Sequence, residues 1–282
     1  MSLIRAATGI ATLIVAASVA AHAARADGRL EARYKVSVAG IAVGKSEINV
    51  AITGSDYAVS ANGRASGMLR ILVSGEGTLA TRGTIVDGRL VPTSFTSSST
   101  QEDEKAEVKM TLDGGAVKDL SAETTSSASD RVALTEEHRK GIVDPMTALL
   151  VTVGGSGDVL APEACQRTLP IFDGRRRYDL KLAFKRIDTV KADKGYRGPA
   201  VVCGVTFQAI AGHRASSPLV KYLADGRDIE LALAPIAGTR TLAPFRLSIA
   251  SMLGNMVIEA AEFETTPTMS IRAALPPKAT AQ

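Results

Sequence analysis

The feature that most constrains the fold is an alternation of apolar and polar side chains with a period of two. In residues 30–38, Leu30, Ala32 and Tyr34 alternate with charged side chains. Successive side chains of a strand point to opposite faces of a sheet, so this pattern predicts strands with one buried and one wet face. The same alternation returns near 48–52, 107–112, 178–185, 203–209, 229–234, 245–252 and 256–263.

Short turns separate these stretches. Asp-Gly pairs stand at 87–88, 113–114, 173–174 and 225–226, and Gly254-Asn255 separates two late strands. Asp-Gly favours tight hairpins because both turn positions take positive φ. A large antiparallel sheet must curl or close as strands are added. We therefore expect a mainly β protein of about ten to fourteen strands. They should form one large, strongly curved antiparallel sheet, a half-barrel or open barrel with one or two short helices.

Residues 135–153 interrupt the alternation. Asp144 suits a helix N-cap and Pro145 suits the first helical turn. Apolar residues at 146, 149, 150 and 153 then share one helical face. This pattern predicts a helix of about two to three turns that packs its apolar face onto the sheet. A second short helix is predicted at 218–224.

The N-terminal residues 1–26 have the pattern of a secretory signal peptide, with a positive charge at Arg5, an apolar run, and small residues before the preferred cleavage point after Ala26. The apolar run is shorter than the ~20 residues of a spanning helix, so we expect cleavage rather than an anchor. The predicted product is a soluble periplasmic protein of a Gram-negative bacterium, with no integral membrane span. Residues 27–275 should form a single domain, and the tail 276–282 should be disordered.

Charge gives little support for a nucleic-acid partner. Removal of Arg5 and Arg25 with the signal peptide leaves 31 basic and 29 acidic side chains, a net charge of +2. The remaining basic residues are scattered, except at 175–177. No nucleic-acid partner is therefore predicted.

The two cysteines, Cys165 and Cys203, both lie in the predicted mature chain. Two cysteines in an oxidising compartment predict one structural disulfide, with a reactive pair as the alternative. Their wide spacing excludes a CxxC redox motif. Without further cysteines or nearby histidines, the sequence predicts no metal site.

No catalytic constellation is found. A serine hydrolase needs a serine, a histidine and a carboxylate, and the mature chain has only His138 and His213. Phosphate-loop and dinucleotide-binding motifs are absent from the sequence. We predict no enzyme activity and no cofactor. An unrecognised hydrolase using one of these histidines is the least favoured hypothesis.

The densest polar cluster runs from 173 to 179. Arg175 and Arg177 should share one strand face, and arginines bind phosphate or carboxylate groups through paired hydrogen bonds. Together with His213 and Arg214, they form the predicted ligand-binding set. The alternative is a solvated hairpin edge whose charges discourage strand pairing.

The stretch 144–150, DPMTALL, resembles a signature of an exported proteobacterial family, domain of unknown function 3108. The likeness continues through Cys165, the segment 169–180, Cys203 and the segment 211–214, and it spans about 30–263. The chain looks like the alphaproteobacterial branch of this family. The resemblance implies export and a β-rich fold, and it supplies no catalytic residues.

The favoured function is that of a non-catalytic periplasmic envelope protein. A sheet curled around a short helix would offer a concave apolar face to a lipid or another apolar ligand. The alternative is a structural or assembly factor that acts through protein contacts. The predicted partner is thus a lipid or an envelope protein.

Overall fold

The computed structural model describes residues 27–65, 75–101, 104–124, 130–226, 228–250 and 254–268. The predicted signal peptide and tail lie outside these residues. Within these residues, one α-helix, α1, spans Pro218–Ala224, and three short 3-10 helices span Glu136–Arg139, Thr147–Leu149 and Pro162–Cys165. The strands in chain order are β1 Gly28–Val38, β2 Ile41–Thr53, β3 Asp56–Ala65, β4 Gly75–Val86, β5 Arg89–Gln101, β6 Glu104–Asp113, β7 Ala116–Thr124, β8 Val151–Thr152, β9 Arg167–Phe172, β10 Arg177–Lys191, β11 Lys194–Gly195, β12 Arg197–Ala211, β13 Ile229–Pro235, β14 Thr241–Ile249 and β15 Met256–Pro267.

All fifteen strands of the described residues belong to one sheet. The order along it is β7-β6-β5-β4-β3-β2-β1-β15-β14-β13-β12-β10-β9, and every neighbouring pair in this order is antiparallel. In the described residues β7 and β9 end the order without pairing with each other, so the sheet is not closed. The predicted fold class is confirmed. The strand number exceeds the prediction because β8 pairs with β14 and β11 with β15 as separate two-residue strands.

The hairpin turns follow the predicted chemistry at some positions and not at others. Asp87 and Gly88 have φ values of 50° and 72° between β4 and β5, which confirms the Asp-Gly turn there. Between β6 and β7 the positive angles fall one residue later, at Gly114 and Gly115. The hairpin predicted at 225–226 is wrong. Asp225 instead ends α1, where its backbone N–H donates to the Lys221 carbonyl.

The inner face of the sheet is filled by its own side chains and by the segment 142–150. The alternation in β1 is confirmed, since Leu30, Ala32 and Tyr34 are all buried. The connecting segment contributes three further buried apolar side chains, those of Ile142, Met146 and Leu150. Aromatic side chains complete this cluster, and they are Tyr57, Phe95, Phe172, Phe245 and Phe263.

The helix predicted over residues 144–153 is wrong in extent, because only Thr147–Leu149 form a single 3-10 turn. Val143 pairs with Ile171 before this turn, and Val151 pairs with Leu242 after it. Extended backbone on both sides leaves room for one turn. The second predicted helix is confirmed as α1.

The segment 142–143 connects the two end strands of the open sheet. The backbone N–H of Ile142 donates to the Gly115 carbonyl in the β6–β7 turn at 2.9 Å. The N–H of Val143 donates to the Pro170 carbonyl in β9 at 2.8 Å, and the Phe172 N–H donates back to the Val143 carbonyl at 3.0 Å. Backbone hydrogen bonds therefore bridge the opening that strand pairing leaves.

The predicted disulfide is confirmed. Cys165 and Cys203 are bonded, with their Cα atoms 5.4 Å apart. The bond ties the 3-10 helix Pro162–Cys165 to β12 inside a second buried cluster. Among the described residues, no helix has the length and apolar character needed to cross a membrane.

One predicted strand face is interrupted. Leu182 is buried as the alternation predicts, but Phe184 is 38% exposed. Pairing of β9 with β10 ends at Leu182, and a bulge lies between Phe184 and Arg186. Beyond Leu182 the outer edge of β10 has no strand partner among the described residues, which explains the exposure of Phe184.

Candidate functional site

A groove of about 650 Å³ lies on the outward face of β15 and of β1 to β5. Its polarity follows from the alternation, because Ala32 and Tyr34 face the core and leave Arg33 and Lys35 pointing outward. The outer surface of a strongly twisted, barrel-like sheet is concave along its strands.

The strand register arranges the charged groove side chains in two rows. In the first row, Glu262 lies opposite Arg33, and Arg33 lies opposite Glu47, so the charges alternate. We call the second the cationic row, formed by Lys35, Lys45 and Arg64.

In the cationic row, Lys35 lies opposite Lys45, and Lys45 lies opposite Arg64. Lys35 Nζ is 2.9 Å from Asp193 Oδ2, and this hydrogen-bonded ion pair lowers the pKa of Asp193 and raises that of Lys35. Among the described residues, neither Lys45 nor Arg64 has a carboxylate oxygen within 4.0 Å. Lys45 and Arg64 are thus exposed cations without a direct ion pair among the described residues, and only Arg64 has an acidic residue, Glu76, opposite it on the next strand.

The predicted ligand-binding residues lie outside this groove. The first two, Arg175 and Arg177, already form hydrogen bonds within the protein. Arg175 Nη2 donates to the Glu107 carbonyl at 3.2 Å and also to the Glu123 carbonyl, so it holds the β9–β10 turn against β6 and β7. Arg177 Nη1 donates to the Asp179 carboxylate and to the Tyr178 carbonyl.

The other two predicted residues follow β12. Arg214 Nε lies 3.2 Å from Asp130 Oδ1, and Ser216 donates to the same carboxylate through its hydroxyl and its N–H. These Ser216 bonds, assisted by Arg214, lower the pKa of Asp130 to about 2. His213 is partly buried. The contact of Arg214 is a structural one, whereas Nδ1 of His213 is buried and has no hydrogen-bond partner among the described residues. A ligand at this cluster stays a prediction.

The fold nevertheless brings the backbone of Arg175 against Gly212, which directly precedes His213. Gly212 packs so closely on the Arg175 backbone that a Cβ at Gly212 would clash with the Arg175 carbonyl oxygen. The other histidine, His138, has a capping contact, since its Nδ1 accepts a hydrogen bond from the Thr135 N–H at 3.1 Å.

The model of the family described as "Protein of unknown function (DUF3108)" matches residues 33–261. The chain belongs to this family. The predicted alphaproteobacterial branch stays a prediction. No curated protein matches this DUF3108 chain in sequence.

Among solved structures, the DUF3108 chain is similar to a crystal structure described as a beta-barrel-like protein of domain of unknown function DUF1849, from Brucella abortus. The sequences are 13% identical and the TM-score is 0.46. The match covers 86% of the DUF3108 chain and 100% of the other chain.

The DPMTALL stretch of the DUF3108 chain forms a buried polar network. The predicted N-cap of Asp144 is confirmed in part, because Oδ1 accepts the N–H groups of Met146 and Thr147 at 2.9 and 3.0 Å. Oδ2 accepts the hydroxyls of Thr147 and Thr81. Burial raises the pKa of Asp144, although these four donors act in the opposite direction.

Sequence reasoning missed the other members of this network. Tyr57 Oη lies 2.8 Å from Thr147 Oγ1, and burial raises the pKa of Tyr57. Thr81 occupies a core-facing position of β4 and is buried. The sequence did contain a signal for this network, because Thr81 is a polar residue at a position where the alternation predicts an apolar one. Among the described residues, no three His, Cys, Asp or Glu side chains are grouped to hold a metal ion.

Proposed function

We propose that this DUF3108 chain is a non-catalytic protein of the bacterial cell envelope that acts through contacts made in its outer groove. The observation that carries this proposal is the polar groove of about 650 Å³ across six strands, with Lys45 and Arg64 exposed in it. Charged grooves of this kind select partners by electrostatic complementarity.

The packing of the inner face favours surface contacts over the alternative of a lipid on the concave face. Ile142, Met146 and Leu150 fill the space that the curled sheet encloses. A bound acyl chain would have to displace these side chains and expose them or rearrange the core, and close-packed interiors resist such changes.

The proposed compartment is the periplasm. The Cys165–Cys203 disulfide is typical of oxidising compartments, and residues 1–26 have the pattern of a signal peptide. Cell fractionation and N-terminal sequencing test this point. We expect the chain in the periplasmic fraction, beginning at Asp27; a cytosolic chain with its leader intact would contradict it.

Site-specific photo-crosslinking in cells tests the groove. A photoreactive residue at Asn62 or Thr78, which line the groove, should yield a defined crosslinked species. The same residue at Thr206, exposed on β12 outside the groove, is the matched control. The species should disappear when Arg64→Glu is added and persist with Lys181→Glu. Crosslinks that form equally from Thr206, or that are unchanged by Arg64→Glu, would contradict the proposal that the groove is the contact site.

A parallel extraction separates the two candidate functions. Protein purified from periplasm is extracted with organic solvent and analysed by mass spectrometry. We expect no lipid in stoichiometric amount. One lipid per protein would favour a lipid site on the inner face of the sheet, provided that two results accompany it. The lipid should be retained when Arg64 is changed to Glu, and it should be lost when Met146 is replaced by a larger side chain.

A further inference from the structure

We propose that the cationic row is a binding site for a phosphate group, carried either by a lipid headgroup or by a free molecule. This inference rests on the proposed function and names the chemistry of the groove's ligand. It concerns residues other than the arginines at 175 and 177.

The strand register carries the argument. Directly opposed residues on one face of an antiparallel pair have Cβ atoms about 4.5–5.5 Å apart, and like charges in this position destabilise a sheet. Lys45 has Lys35 opposite it on β1 and Arg64 opposite it on β3. Lys45 is therefore flanked by a cation on each neighbouring strand.

The two outer members have acidic neighbours and the central one has none across the strands. Lys35 faces Asp193 and Glu259, and Arg64 lies opposite Glu76 on β4. The adjacent row of the same groove has alternating charges, so the fold itself does not demand a run of cations. An anion above Lys45 would relieve the repulsion that the register imposes.

The side chains suit a phosphate group. A guanidinium presents a planar pair of donors to phosphate oxygens, and an ammonium on a flexible stem adds a mobile point charge. Arg64 and Lys45 are exposed, on neighbouring strands, and line a concave surface. Binding between exposed charges is screened by salt, so the affinity should fall steeply with ionic strength.

Thermal unfolding distinguishes an anion-binding Lys45 from a lysine that only stabilises the fold. Without added anion, Lys45→Gln should raise the melting temperature by roughly 1–3 °C, because it removes the like-charge repulsion. Sodium phosphate, compared with sodium chloride at equal ionic strength, should raise the melting temperature of the wild-type chain by more than that of Lys45→Gln, which keeps only the general stabilisation by an excluded salt. Lys181→Gln, an equal charge change outside the groove, should alter neither quantity. A lowered melting temperature of Lys45→Gln, or an undiminished phosphate effect, would overturn the proposal.

Two binding measurements distinguish the sources of the phosphate. Calorimetry with inorganic phosphate tests a free anion, and flotation with phosphatidylglycerol–phosphatidylcholine vesicles, against phosphatidylcholine alone, tests a headgroup. Binding in either arm should fall at least about fivefold in Lys45→Gln and persist in Lys45→Arg, which keeps the charge. Absence of binding in both arms would overturn the inference. If the groove crosslinks still form in that case, the proposed function remains supported. If neither anion binding nor groove crosslinks are observed, the phosphate site and the proposed function are both contradicted.

Discussion

The hydroxyl of Thr81 in β4 donates a hydrogen bond of 2.9 Å to the carboxylate of Asp144, 63 positions later in the chain. Asp144 is buried and begins the one-turn segment that fills the sheet's interior. The contact therefore fixes that segment against the sheet through a polar bond rather than through apolar packing alone. Buried polar groups of this kind are costly when a partner is removed.

Replacement of Thr81 by valine should destabilise the protein by about 1–3 kcal/mol, since a nearly isosteric side chain leaves Asp144 short of one donor. Chemical denaturation followed by circular dichroism measures the change. Thr78→Val, on the exposed face of the same strand, is the matched control. Equal effects from the two substitutions would show that the buried hydrogen bond is not what stabilises the segment.

The pH dependence of stability should change in Asp144→Asn. Because burial raises the pKa of Asp144 above its unfolded value, its contribution to stability is complete below the unfolded pKa and is lost as the pH rises through the folded pKa. The stability of the wild-type chain relative to Asp144→Asn should therefore increase as the pH is lowered into that interval. Denaturation curves recorded from neutral to mildly acidic pH measure this difference. The opposite trend would mean that the four donors outweigh desolvation.

Removal of the disulfide by Cys165→Ala with Cys203→Ala should destabilise the protein by about 4 kcal/mol, from the entropy of the loop that the bond closes. Equilibrium unfolding of the oxidised wild type and the double variant measures the effect. Thiol counting on unfolded, unreduced protein should find no free thiol in the wild type. Two free thiols in unfolded wild-type protein that has not been exposed to a reductant would contradict the assigned bond.

The free edge of β10 should limit solubility at high concentration. Residues 183–187 are all exposed, and they include Phe184 and Ile187, with exposed fractions of 38% and 46%. Lys185 and Arg186, which could guard this edge, form ion pairs with Glu230 on β13 instead. Unguarded edges associate. Phe184→Ser with Ile187→Ser should reduce concentration-dependent association in light scattering, whereas Leu219→Ser, at another exposed apolar site, should not.

Local pattern was sufficient for several elements. The burial of Leu30, Ala32 and Tyr34, the turn at Asp87-Gly88 and the helix α1 all depend on residues close in the chain. The extent of the helix predicted at 144–153 was not predictable in this way. Its ends are set by pairing with Ile171 and Leu242, and such distant partners leave no local signal.

The residues of the candidate site were likewise predictable only in part. The arginines at 175 and 177 form a cluster that is visible in the sequence. Only the fold shows that Arg175 donates hydrogen bonds to carbonyl groups of β6 and β7. The cationic row consists of Lys35, Lys45 and Arg64, which are scattered in sequence. Only the strand register makes them neighbours.

The amino-acid sequence by itself determined the strands, their buried faces, the antiparallel connections and the cysteine pair, because side-chain period and turn chemistry act over a few residues. The tertiary structure decided the filled interior, the bridged opening between the end strands and the charge pattern of the groove. These depend on register and curvature, which arise only when distant segments pair.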